Sequence, residues 1–211
     1  SDHTRQAWLE GYVLSGRHGV LVTYEAFAMI IASMIDQYTK FLKQSKAVSW
    51  RKPLPSLNIV LTSSSWRQDH NGYSHQNPGL ITSMLNDYSN FIRIHFPVDA
   101  NMLLATADEA FSSTNIVNLI IAGKRELHQY LTIDEARLQM KTGMHSWDFV
   151  GNNCEEPDIV FAATGDYPTK EVLATLQILK EDFPELNTRF VSVSELTCFW
   201  IGDHPVTNRI N

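Results

Sequence analysis

Leu57-Asn58-Ile59-Val60-Leu61 is a run of four aliphatic residues around one asparagine, short enough for a strand and too continuous for a half-exposed one. Such runs belong to strands buried on both faces, which are characteristic of parallel sheets. Comparable runs recur at Val20-Leu21-Val22, Phe91 to Phe96, Val117 to Ile121, Ile159 to Ala163 and Arg189 to Val193. Helical patterns separate them. Tyr24 to Lys46 carries Phe27, Ile30, Ile31, Met34, Ile35, Tyr38, Phe41 and Leu42 at helical spacing, predicting one largely buried helix. Asp99 caps a second helix that runs to Ser112, and Thr132 with Glu135 forms a capping box for a third that runs to Lys141. The alternation predicts an α/β fold with an open, mainly parallel sheet and helices on both faces.

The polar, turn-rich stretch Gly151 to Pro157 interrupts this pattern before a fresh strand-helix-strand unit. It divides the chain into residues 1–150 and 151–211, the second too short to be a whole domain, as if the sequence were an excised piece. With 211 residues, 44% of them hydrophobic, there is enough material for one good core and part of another. A net charge of −6 with scattered lysines and arginines argues against nucleic-acid binding. The longest apolar stretch, from Phe27 to Ile35, is too short to span a bilayer. Cys154 and Cys198 are far apart with no CxxC spacing, so they read as incidental thiols in a reducing, cytoplasmic setting.

Beyond Leu61 the chain enters Trp66-Arg67-Gln68-Asp69-His70-Asn71-Gly72-Tyr73-Ser74-His75-Gln76-Asn77-Pro78-Gly79. Ligands of open α/β sheets sit beyond the carboxyl ends of the strands, where this loop begins. Turn chemistry explains Asn71-Gly72 and Asn77-Pro78-Gly79 but not two histidines beside Arg67 and Asp69. Phosphate-loop, dinucleotide, hydrolase-elbow and HExxH motifs are absent, and Asp69, His70 and His75 lack an evident third partner for a metal.

The loop from Trp66 to Gln76 resembles the active-site loop of phosphoketolases. Trp8 to Gly19, Tyr24 to Phe27, Phe96 to Leu104 and Ile121 to Lys124 resemble that family in the same order, and the likeness extends from Asp2 to about Glu195. The resemblance implies a transketolase-like enzyme that uses thiamine diphosphate and magnesium. Such enzymes cleave xylulose 5-phosphate, and often fructose 6-phosphate, with inorganic phosphate to acetyl phosphate. It implies a pyrimidine-binding domain with the start of a C-terminal one, inside a homodimer. Gly165-Asp166-Tyr167 is not the family's metal motif, so the diphosphate and magnesium are expected on a domain outside this chain, which alone should not turn over.

Carried across residue by residue, Phe27 matches the aromatic under the aminopyrimidine, and Tyr24 and Lys124 match groups facing phosphate. His70, Asn71 and His75 match contacts to sugar and intermediate. Where the family holds the pyrimidine nitrogen with a glutamate, this chain has Asp2, shorter by one methylene or about 1.5 Å, a displacement that catalytic geometry tolerates poorly. Glu10 and Glu25 are the nearest spare carboxylates, and both read as structural. The departure at Asp2 raises a catalytically silent homologue as an alternative, beside a transketolase-type transferase.

Overall fold

A computed structural model describes residues 1–62, 77–86, 89–151 and 156–199. Its elements are α1 (Asp2–Leu14), β1 (Val20–Thr23), a 3-10 turn (Glu25–Ile31), α2 (Ala32–Lys46), β2 (Leu57–Leu61), α3 (Gly79–Asn86) and β3 (Ile92–His95). There follow α4 (Ala100–Ser112), β4 (Val117–Ile121), α5 (Ile133–Thr142), β5 (Met144–Gly151), β6 (Ile159–Thr164), α6 (Asp166–Asp182) and β7 (Thr188–Val193). β1 to β4 form a wholly parallel sheet in the order β1-β2-β4-β3, as the buried run at Leu57 implied.

One face of this sheet is purely apolar. Leu57, Ile59 and Leu61 alternate with inward residues of β3 and β4 and pack under Ile35 and Leu42 of α2 and Leu80 and Met84 of α3. The opposite face is polar where α4 ends. Asn118 on β4 donates to Asn58 on β2 at 2.8 Å and to the Ala110 carbonyl at 3.4 Å, while Asn58 donates to the Gly19 carbonyl. Asn118 thus satisfies a carbonyl in the last turn of α4, and Asn58 one just before β1.

The second sheet has the order β5-β7-β6, with β5 antiparallel to β7. Phe190 of β7, Trp147 of β5 and Leu176 of α6 share one core with Met102 and Ala105 of α4, so the two sheets are packed around a common helix. β5, which ends at Gly151, and β6, which begins at Ile159, belong to this same second sheet.

The predicted buried helix from Tyr24 is corrected in its first third. Residues Glu25–Ile31 wind as a 3-10 turn, and Phe27, Met29 and Ile30 are 49%, 41% and 46% exposed. Three residues per turn spread the apolar side chains around the segment, so only Ala28 and Ile31 reach the core. The cap at Asp99 and the box at Thr132 form as expected.

After β7 the chain crosses to the edge of the first sheet. Phe96 donates to the Ser194 carbonyl, and His95 pairs with Glu195 in an antiparallel bridge. Gly143 makes this crossing possible: at φ +76° its carbonyl accepts from the amides of Ser194 and Glu195, and a Cβ there would lie 2.9 Å from the Cys198 Cβ. Cys198 is buried, and desolvation raises its thiol to about 12, with Glu195 adding to the shift. Cys154 lies outside the described residues.

His95 is fully buried beside this crossing, its Nε2 3.4 Å from the Asn118 Oδ1 and its Nδ1 unpartnered. Burial holds its pKa below the ordinary 6.5, against the opposing pull of Glu195 and Asn118; Glu109 also raises it and Arg93 lowers it. The unfolded chain therefore binds the proton more tightly than the folded one. Stability is full above about pH 6.5 and falls as the pH drops below it toward the folded pKa. Urea midpoints at pH 7.5 and 5.5 are expected to differ less in His95→Gln than in the parent chain. An equal pH dependence in both would remove His95 from the account.

Candidate functional site

Parallel strands deliver their following loops to one end of a sheet, and here β1, β2 and β4 do so side by side. Thr62 donates its amide to the Thr23 carbonyl, and Ala122 donates to the Leu61 carbonyl, so three strand ends are locked level. Tyr24 leaves β1 at this end and opens the 3-10 turn. Its ring lies 6.0 Å from that of Phe27, tilted by 57°. Lys124, three residues past β4, places its ammonium 4.8 Å from the centre of the Tyr24 ring. Residues a hundred positions apart thus meet.

Tyr24, half buried, and Lys124, exposed, offer a phenol and a cation on one spot. An exposed cation over an aromatic face gains only about 0.5–1 kcal/mol, little enough for an anionic ligand to displace it. Gly123, just before Lys124, admits the start of α6: a Cβ there would lie 3.0 Å from the Asp166 Oδ2. The second unit therefore brings a carboxylate to the same strand end. Local sequence carries no signal for that approach.

Asp2 stands in the first turn of α1, which packs against β1 and the 3-10 turn. Its carboxylate, partly buried, is 3.3 Å from the exposed guanidinium of Arg5. Glu25 is buried at 1% exposure, and Glu10 accepts from the Gln6 amide at 2.9 Å with its pKa raised by burial. Both carboxylates sit in packed surroundings, as the structural reading of them requires.

His70, Asn71 and His75 lie outside the described residues, as does the chain beyond Phe199. The flanks of the loop are defined. Thr62 donates to the Thr23 carbonyl, and a Cβ on Gly79 would lie 3.0 Å from the Met29 sulfur, so the described residues flanking 63–76 contact the end of β1 and the 3-10 turn. Among the described residues no group of three or more histidine, cysteine, aspartate or glutamate side chains could hold a metal ion. No described helix is long and apolar enough to cross a membrane.

Comparison with solved structures first gives the class of fold. Transketolase from Pichia stipitis in complex with sedoheptulose-7-phosphate superposes with a TM-score of 0.72 at 17% identity, over 99% of this chain and 28% of that one. A split-gene transketolase, an inactive beta4 tetramer, matches with a TM-score of 0.64, covering 92% of this chain and 55% of the other. At such identities the likeness is one of fold.

Sequence gives the family. The model for D-xylulose 5-phosphate/D-fructose 6-phosphate phosphoketolase matches residues 1–113, and that for the XFP C-terminal domain matches residues 124–206. Probable phosphoketolases of Streptomyces coelicolor, Nitrosomonas europaea and Rhodopseudomonas palustris strain TIE-1 are 45%, 49% and 50% identical over 97% of this chain. This chain belongs to the phosphoketolase family. It spans about a quarter of the length of these relatives, 26% in the first.

Proposed function

We propose that this chain is the pyrimidine-binding part, with the start of the C-terminal domain, of a phosphoketolase. The reaction is cleavage of xylulose 5-phosphate, with fructose 6-phosphate as a second ketose, by inorganic phosphate to acetyl phosphate and an aldose phosphate. The observation that carries the reading is the meeting of Lys124 with Tyr24, which in turn lies beside Phe27, at the carboxyl ends of β4 and β1. A cation and a phenol suit a sugar phosphate, and a half-exposed phenylalanine in an otherwise rigid turn suits a planar ring.

The described residues fit thiamine diphosphate in that respect, since Phe27 presents its ring outward where an ordinary core phenylalanine would bury it. When bound, that cofactor supplies the carbon that takes up the two-carbon unit of the ketose. Phe27 would pack on its aminopyrimidine, and the Asp2 carboxyl group, protonated, would donate a hydrogen bond to the pyrimidine ring nitrogen. Tyr24 and Lys124 hold phosphate. His70 and His75 would exchange protons with the sugar hydroxyls, and Asn71 would hold a sugar oxygen by a hydrogen bond. Magnesium and the diphosphate bind on parts of the protein outside this chain, and the chain alone does not turn over.

Trp8, Tyr12, Val20, Val22, Met29 and Ile30 expose between 41% and 73% of their surface on α1, the edge strand β1 and the 3-10 turn. Apolar area of this extent supports a homodimer in the full-length, cytoplasmic protein. The Asp2–Arg5 pair favours a second reading, a homologue that binds cofactor or subunit without catalysis.

The test is acetyl hydroxamate formation by the full-length protein given xylulose 5-phosphate, phosphate, thiamine diphosphate and magnesium. Phosphate-dependent product is expected. Ketol transfer to ribose 5-phosphate without phosphate dependence would make the protein a transketolase, and silence in both assays would favour the non-catalytic homologue.

A further inference from the structure

At the other end of the first sheet, where the strands begin, lies a groove of about 330 Å³ between the end of α2, the turn at residues 48–53 and the segments leading into β3 and β4. That size is typical of small-molecule sites. Three cations line it, Lys46, Arg51 and Lys52, and no carboxylate does so among its described lining residues. The chain as a whole carries a net charge of −6, so this local excess is not a reflection of composition.

Helix-dipole compensation explains Lys46, which lies in the last turn of α2. It does not explain Arg51 and Lys52, which lie beyond the helix. Two of the three cations also lie over aromatic rings. The Arg51 guanidinium sits 4.5 Å from the centre of the Phe41 ring, and the Lys46 ammonium 5.9 Å from that of Phe91. The wall opposite is fixed by Asn115, whose side chain accepts from the Leu54 amide at 3.0 Å while its own amide donates to the Leu54 carbonyl. Asn90, Thr114 and Asn115 add neutral groups able to hydrogen-bond oxygen.

We propose that this groove binds a small anion carrying two phosphate groups, either inorganic pyrophosphate or an organic bisphosphate. Three cations without a counter-carboxylate match more charge than a single phosphate brings, and the guanidinium suits phosphate oxygens bidentately. The site is separate from Tyr24 and Lys124, which leave the sheet at its opposite end. Its occupant stabilises the folded state by mass action without touching the reacting groups.

Isothermal titration of the full-length protein, saturated with thiamine diphosphate, with inorganic pyrophosphate and, separately, with fructose 1,6-bisphosphate tests this. Saturable binding is expected for at least one, weakened 10-fold or more in Lys46→Ala/Lys52→Ala and unchanged in Lys124→Ala. Tighter binding of the bisphosphate marks an organic ligand; tighter binding of pyrophosphate marks the inorganic one. The thermal midpoint is expected to rise with ligand in the parent and to stay still in the double variant, whose two exposed lysines are dispensable for folding. Binding that survives the double substitution, that depends on Lys124, or that is absent at millimolar ligand overturns the proposal.

Discussion

Asp2→Ala in the full-length protein is expected to lower kcat by roughly 10²–10⁴, the range that a positioned proton-transfer group contributes. In the proposed mechanism Asp2 supplies the carboxyl group that bonds the pyrimidine nitrogen, and Glu10, bonded to Gln6, and Glu25, buried, do not take its place. The fold should be little affected, because the Arg5 partner is 66% exposed and such i,i+3 pairs contribute little to stability. Unchanged circular dichroism and thermal midpoint would therefore accompany the loss. Asp2→Glu restores the longer reach and is expected to match or exceed the parent. Full activity in Asp2→Ala would remove Asp2 from the mechanism, whereas activity that appears only in Asp2→Glu would identify a homologue whose acid had been disabled.

The central strands were legible because burial on both faces removes the need for alternation. Leu57 to Leu61 and Val117 to Ile121 are aliphatic almost throughout, and both lie in the middle of the sheet. β5 escaped notice because Met144 to Gly151 mixes His145, Ser146 and Asp148 with aromatics, and its pairing with β7 depends on residues some forty positions on. α1 was hidden for a related reason: Trp8 faces outward at 73% exposure, so no clean apolar stripe marks the helix. In the site, Tyr24, Phe27 and Lys124 could be named from family likeness, yet their contact depends on β1, β2 and β4 being neighbours, which local patterns do not encode. Asp166 beside Gly123 and Glu195 beside His95 are joined by the same kind of long-range packing. His70, Asn71 and His75 lie outside the described residues.

Phe190→Ala is expected to cost about 3–5 kcal/mol, the usual range for emptying a buried aromatic site. Phe190 is fully buried in β7, the middle strand of its sheet, with the Trp147 ring edge-on at 5.1 Å. A domain of this size has a net stability of about 5–15 kcal/mol, so the loss is a large share of the whole. The location of the damage is as informative as its size. Met102 and Ala105 of α4 belong to the same core, and α4 also closes the polar face of the first sheet through the Ala110 carbonyl and Asn118. A cavity at Phe190 is thus expected to lower a single cooperative transition, monitored alike by tryptophan fluorescence and by far-ultraviolet circular dichroism. Phe149→Ala is the matched control: that ring stacks on Trp147 at 5.0 Å but is 59% exposed, so its loss should shift the midpoint far less. Two separate transitions, with only one of them lowered, would mean that the sheets fold independently and that α4 does not couple them.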